Sequence, residues 1–121
     1  MHTDEDATHL PDNATVSAMI ELFAMLSDPT RLRIVIALGA GEHSVSQLAA
    51  IAGKSPTAVS QHLAKLRLAR VVIARNEGTR VYYRITNEHV TSIVSNAMDQ
   101  ADHILGLPQD AMHQQRGRAL S

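Results

Sequence analysis

Thr57, Ser60, Gln61 and Lys65 bring two hydroxyls, an amide and an ammonium group together, with Thr57 three and four residues before Ser60 and Gln61, and Gln61 four before Lys65. On a helix that spacing collects them on one side. Such groups, at such a spacing, reach base edges and phosphates in the major groove of duplex DNA. His62 flanks the set, Lys54 and Ser55 precede it, and Arg67 follows. Between Lys54 and Arg84 lie seven of the chain's 11 Lys and Arg residues, against the single acid Glu77. That concentration is an electrostatic footprint for a polyanion.

A helix must present these side chains, and the sequence predicts one. Ser55 can cap it, and Pro56 fits the first helical position, where no N–H is needed. Val59, Leu63 and Leu66 recur at i, i+4 and i+7, a stripe for burial opposite the polar side. A hairpin follows: Val71, Val72 and Ile73 lead to a turn expected at Asn76 to Gly78, and Arg80 to Ile85 alternates with period two. Arg75 and Arg80 flank that turn as cations for a phosphate or a minor groove. A polar-faced helix followed by a basic hairpin predicts a winged helix-turn-helix, with Lys54, Ser55, Thr57, Ser60, Gln61, His62, Lys65, Arg67, Arg75 and Arg80 as the DNA-binding residues.

The remaining elements follow from caps and periodicity. An acidic arm, residues 1–12, carries His2 and His9. Asn13 is the expected cap of a first helix in which Val16, Met19, Ile20, Phe23, Ala24 and Leu26 form an apolar face over about three turns, ending near Ser27. Asp28 caps and Pro29 opens a second helix, apolar almost all round and therefore central, which Gly39 and Gly41 stop. Ser44 or Ser46 caps a short helix over 45–52, closed by Gly53. Thr86 or Asn87 caps a long last helix running to about Leu105. The fold class is mainly α with a small β-hairpin, in the order α-α-α-α-β-β-α. Residues 13–106 form one domain and 107–121 a polar tail.

Composition narrows the function. The 121 residues carry a net charge of −1, distributed as −5 over residues 1–53, +6 over 54–84 and −2 over the rest. One Phe, two Tyr and no Trp leave little for a stacking platform, so double-stranded DNA fits better than single strands. The absence of cysteine excludes disulfides and thiolate metal sites. No nucleophile elbow, glycine-rich phosphate loop or Cys nucleophile is present, so no enzyme and no small organic substrate is expected. Nothing in the sequence reads as a membrane span or signal peptide, which predicts a cytoplasmic protein without a membrane partner.

The segments LSDPTRLRIVIAL, VSQLAAIAGKSPTAVSQHLAKLRLARVV and GTRVYYRITNEHV resemble the ArsR/SmtB family of metal-responsive repressors, over roughly residues 15 to 105. The resemblance implies a homodimer joined through its first and last helices that releases operator DNA when metal binds. The family's thiolate site would fall at His43-Ser44-Val45-Ser46, where serines stand. Its other site matches Asn87, His89, Gln100 and His103 on the last helix. Fourteen residues place His89 and His103 within about 40° of one helical face but on the order of 21 Å apart. Antiparallel pairing of two last helices would bring His89 of one chain to His103 of the other, giving two equivalent sites. Asp99, Asp102 and the tail residue His113 are further donors, with His2, His9 and Asp110 available to complete six-coordination. Imidazole with carboxylate suits nickel, cobalt or zinc. The Asn-Glu-His and Ala-Asp-His segments resemble the actinobacterial nickel and cobalt sensors most, so those metals are favoured and zinc comes second. The amides at 87 and 100 leave open a second reading: a winged-helix regulator with a weak or vestigial metal site, controlled by a partner protein or another effector.

Overall fold

A computed structural model describes residues 9–108. The elements run α1 (Asn13–Leu26), α2 (Pro29–Leu38), β1 (His43–Ser44), α3 (Val45–Ala52), α4 (Pro56–Leu68), β2 (Val72–Glu77), β3 (Arg80–Ile85) and α5 (Glu88–Ile104). This is a winged helix-turn-helix. Each helix begins where a short polar side chain accepts a backbone N–H that the first turn would otherwise leave unpaired. Asp12 does this for α1, accepting from Thr15 at 2.8 Å. The cap is therefore one residue earlier than the expected Asn13, since either short side chain can reach an amide of the first turn. Asp28 accepts from Arg31 at 2.9 Å, with Pro29 in the first turn of α2. Ser55 accepts from Ala58 at 3.1 Å at the start of α4. Asn87, rather than Thr86, caps α5 through His89 N–H. The Thr86 hydroxyl instead donates to the Arg70 carbonyl at 2.8 Å.

α2 is central, touching α1, α3, α4, α5 and β3. Its Ile34, Val35 and Leu38 join Leu48 of α3, Val59, Leu63 and Leu66 of α4, Val71 and Val72 after them, and Val90 and Val94 of α5 in one core. Between α3 and α4, Gly53 takes a left-handed conformation (φ 65°, ψ 36°) and lets the chain reverse after the short helix. α4 ends in a Schellman arrangement: Val71 N–H donates to the Leu66 carbonyl at 2.9 Å and Arg70 N–H to the Arg67 carbonyl at 3.0 Å. Arg70, not glycine, holds the left-handed position there, at φ 62°.

Two features of the sheet depart from expectation. The hairpin turn is Gly78-Thr79, because Glu77 pairs with Arg80 and Asn76 with Val81. Asn76 is thus a strand residue. Gly78, at φ 62°, supplies the positive angle that a two-residue hairpin turn needs at its first central position. Second, β1 pairs with β3, His43 opposite Tyr83 and Ser44 opposite Tyr82, so the sheet has three strands in the order β1-β3-β2. Ser44 also caps α3 in a reciprocal box: its hydroxyl accepts from Gln47 N–H, and the Gln47 side chain accepts from Ser44 N–H at 2.8 Å. One residue thereby serves strand and helix, which decides for Ser44 over Ser46.

The helix starts carry a pH signature. The Arg31 backbone N–H, aided by the Arg31 and His62 charges, holds the Asp28 carboxyl below its ordinary range. The Thr15 backbone N–H does the same for Asp12. A carboxyl depressed in the folded state contributes stability above its unfolded pKa of about 4 and loses it as pH falls through the lower folded value. Thermal stability at fixed protein concentration is therefore expected to hold down to about pH 5 and to decline below about pH 4. Asp28→Asn should shallow that acid decline; a decline as steep as that of the unsubstituted protein would remove Asp28 from the account.

Among the described residues, no helix is long and apolar enough to cross a membrane.

Candidate nucleic-acid interface

The two sides of α4 are separated by burial. Val59, Leu63 and Leu66 are fully enclosed against α2, α3 and β2. Thr57, Ser60, Gln61 and Lys65 are exposed on the remaining surface, with Lys54, Ser55 and Arg67 exposed at its two ends. The α3-turn-α4 unit therefore holds the expected residues outward on a helix whose other side is locked into the core. Ser55 spends an acceptor position on its own helix cap, a bond that leaves its hydroxyl proton uncommitted.

His62 is less open than expected. It is half-buried, with Nδ1 3.4 Å from Arg31 Nη1 and 3.8 Å from Asp28 Oδ2. Arg31 Nε in turn donates to the Met25 carbonyl in the last turn of α1 at 2.8 Å. His62 thus edges the polar face while joining it to the start of α2 and the end of α1. Nothing in the sequence near His62 announced this, because its partners lie 31 and 34 residues earlier.

The wing departs further from expectation. The register places Arg75 opposite Tyr82 and Glu77 opposite Arg80. The Arg75 guanidinium grips Glu42 through Nε (3.1 and 3.2 Å) and Nη2 (2.6 Å), and Glu77 through Nη1 (2.9 Å). Its carbon lies 5.0 Å from the centre of the Tyr82 ring, within cation–π range. The Glu42 carboxyl is held low first by the Arg75 hydrogen bond and further by the charges of Arg75 and Arg84. The two carboxylates push Arg75 still further toward its charged form. Arg75 is thus committed within the fold. Arg80, beside the turn, has no ion pair among the described residues and is exposed. Arg84 is two residues from Tyr82 on the same strand face and is also exposed. Glu42 and Tyr82 were missed from the sequence. A turn placed at Gly78-Thr79 would have aligned Arg75 with Tyr82, but nothing local announces Glu42, which lies 33 residues before Arg75.

On α5, His89 and His103 are both exposed, one in the first turn and one in the last. Neither ring makes a polar contact among the described residues. Asn87 spends its amide oxygen on capping the helix. Asp102 does not share the surface of its neighbour His103: it is fully buried, because adjacent helical residues point about 100° apart. Asp99 is half-buried, and neither carboxylate is without a partner. His113 lies outside the described residues, as do His2 and Asp110, while His9 is exposed. Among the described residues, no group of three or more His, Asp or Glu gathers within one chain to hold a metal.

Comparison with known proteins agrees with this architecture. The family model described as "Bacterial regulatory protein, arsR family" matches residues 28–74, from α2 into β2. The HTH-type transcriptional regulator KmtR of Mycobacterium tuberculosis is 45% identical over 103 residues, covering 85% of this chain and 78% of that protein. A homodimeric winged helix-turn-helix DNA-binding domain from Mycobacterium bovis superposes with a TM-score of 0.72 at 32% identity, covering 81% of this chain and 93% of that one. The AntR antimony-specific transcriptional repressor superposes with a TM-score of 0.74 at 30% identity, over 81% of this chain and 89% of that one. With a polar α4 face, a basic wing and a relative of this identity over most of both chains, the protein is a DNA-binding transcriptional regulator that belongs to the arsR family.

Proposed function

We propose that this regulator represses by binding double-stranded operator DNA as a homodimer, and that nickel or cobalt, with zinc as second choice, releases it from inter-chain sites on α5. The observation that carries the reading is the two-sided α4: enclosed Val59, Leu63 and Leu66 fix the helix, and exposed Thr57, Ser60, Gln61 and Lys65 face outward from it. Gln61 can pair bidentately with an adenine edge, while Lys54, Lys65, Arg67 and Arg80 neutralise phosphates. A two-fold pair of α4 helices would read half-sites about one DNA turn apart.

The residues of α5 fit a metal only between chains. His89 and His103 are exposed on one face and too far apart along one helix to share an ion, which an antiparallel partner helix resolves. Neutral imidazoles would hold a borderline divalent ion, with Asp99 or the tail residue His113 completing the set. Buried Asp102 is set aside. A bound ion would tie the two α5 helices together, and its effect on DNA would be the bias it gives to the separation of the two α4 helices. By linkage, DNA must weaken metal binding by the same factor as metal weakens DNA binding.

The test is operator binding by mobility shift, titrated with nickel, cobalt and zinc. Metal is expected to lower affinity by a coupling free energy of about 1–3 kcal/mol. Gln61→Ala should weaken specific binding by roughly 1–3 kcal/mol without metal. His103→Ala should keep metal-free binding and lose the response. Release of DNA from His103→Ala on metal addition, or none from the unsubstituted protein, would refute the sensing reading while leaving the DNA reading to Gln61.

A further inference from the structure

We propose that Arg75, gripped by Glu42 and Glu77 over the Tyr82 ring, is a positioning residue that fixes the wing against the body of the protein rather than a phosphate contact. The inference rests on the reading above that the wing meets DNA, and it assigns Glu42 a role in that meeting.

Three observations carry it. The guanidinium is engaged on its Nε, Nη1 and Nη2 sides and on one face, so a phosphate would have to displace a carboxylate to bind it. Glu42 stands in the loop between α2 and β1, whereas Arg75, Glu77 and Tyr82 belong to the hairpin, so the grip crosses from the body to the wing. Arg80 and Arg84, on the same face of β3 as Tyr82, are exposed and form no ion pair among the described residues, although the Arg84 charge is felt at Glu42. Beyond the short pairing of β1 with Tyr82 and Tyr83 the wing is a two-stranded ribbon, strongly twisted and marginally stable by itself. Holding it at Arg75, midway along β2, sets where Arg80 comes to lie.

The clamp and a direct contact predict opposite results for Glu42→Gln. If Arg75 served phosphate, removing its internal anion would free the guanidinium and tighten DNA binding. As a clamp, Glu42→Gln should weaken operator binding by roughly two- to five-fold, in keeping with an exposed ion pair. The salt dependence separates them again. Arg75→Gln should lower affinity while leaving the slope of log affinity against log salt unchanged, because no phosphate partner is lost. Arg80→Ala should flatten that slope by about one unit.

A third measurement does not involve DNA. Amide hydrogen exchange in β2 and β3 near Asn76 and Val81 should be faster in both Glu42→Gln and Arg75→Gln than in the unsubstituted chain. Tighter binding by Glu42→Gln, a slope lowered by about one unit in Arg75→Gln, or unchanged wing exchange in both variants would each overturn the clamp. An unchanged slope in Arg80→Ala alone would count against the wing–DNA reading, with the clamp still judged by exchange.

Discussion

Leu63→Ala is expected to destabilise the protein by about 2–5 kcal/mol, a large part of the roughly 5–15 kcal/mol that holds a domain of this size. Leu63 is fully enclosed at the middle of α4, between Val59 and Leu66, which are equally enclosed. Truncation removes three carbons from the core where α4 meets α2, α3 and β2, and the neighbouring elements, locked by capped helix starts, can close the gap only in part. Denaturant unfolding at a fixed chain concentration measures the loss, the concentration being held because assembly contributes to apparent stability. Gln61→Ala, two residues away on the outer side, should move the midpoint by no more than about 0.5 kcal/mol. Equal effects of the two substitutions would mean that the inner and outer sides of α4 are assigned wrongly.

Placing carboxylates on α1 should separate the chains while leaving each one's core folded. Among the described residues, α1 buries none of its own: Ile20 is 62% exposed, Phe23 52%, Met19 46% and Val16 39%. A 14-residue helix with such a face is marginal by itself and gains most of its order from what covers it. In the homodimer proposed above the cover would be a second chain. Ile20→Asp with Phe23→Asp would put two unpaired charges per chain into that apolar contact, at an effective cost of several kcal/mol for each. Sedimentation should find a monomer at concentrations where the unsubstituted protein is a dimer, and operator affinity should collapse because one chain grips one half-site. Circular dichroism should lose no more helix than α1 contributes. A double variant that remains dimeric would place the interface elsewhere.

The helices were largely legible in the sequence because their ends are written locally. Asp28-Pro29 and Ser55-Pro56 each combine a cap with a proline that tolerates the first turn, and the apolar spacing of Val59, Leu63 and Leu66 admits one orientation. α3 could be bounded to the residue, since Val45–Ala52 lies between Ser44 and Gly53. β1 could not be seen: two residues are too few for alternation, and its pairing with β3 spans nearly 40 positions. The turn was displaced by about one residue because Asn76 and Gly78 both favour turns, and only the cross-strand register chooses between them. That displacement hid the Arg75–Tyr82 pairing. The burial of Asp102 was missed although it continues the stripe of Val90, Val94 and Met98 at intervals of four, because a carboxylate is seldom enclosed.

The third strand changes what counts as a separable part of this protein. A hairpin joined to its domain by chain ends alone could be transplanted between relatives as residues 72–85, carrying its basic tip to a new scaffold. Here β3 is bonded on its far edge to His43 and Ser44, and Glu42 beside them grips Arg75. Ser44 also starts α3, the first helix of the DNA-reading pair. A functional graft must therefore carry two stretches, 42–44 and 72–85, exchanged together. Recombination that breaks the chain between them would splice a wing onto a body that no longer holds it. Chimeras of both kinds, compared for folding and operator binding, would show whether wing and reading helix are inherited as one unit.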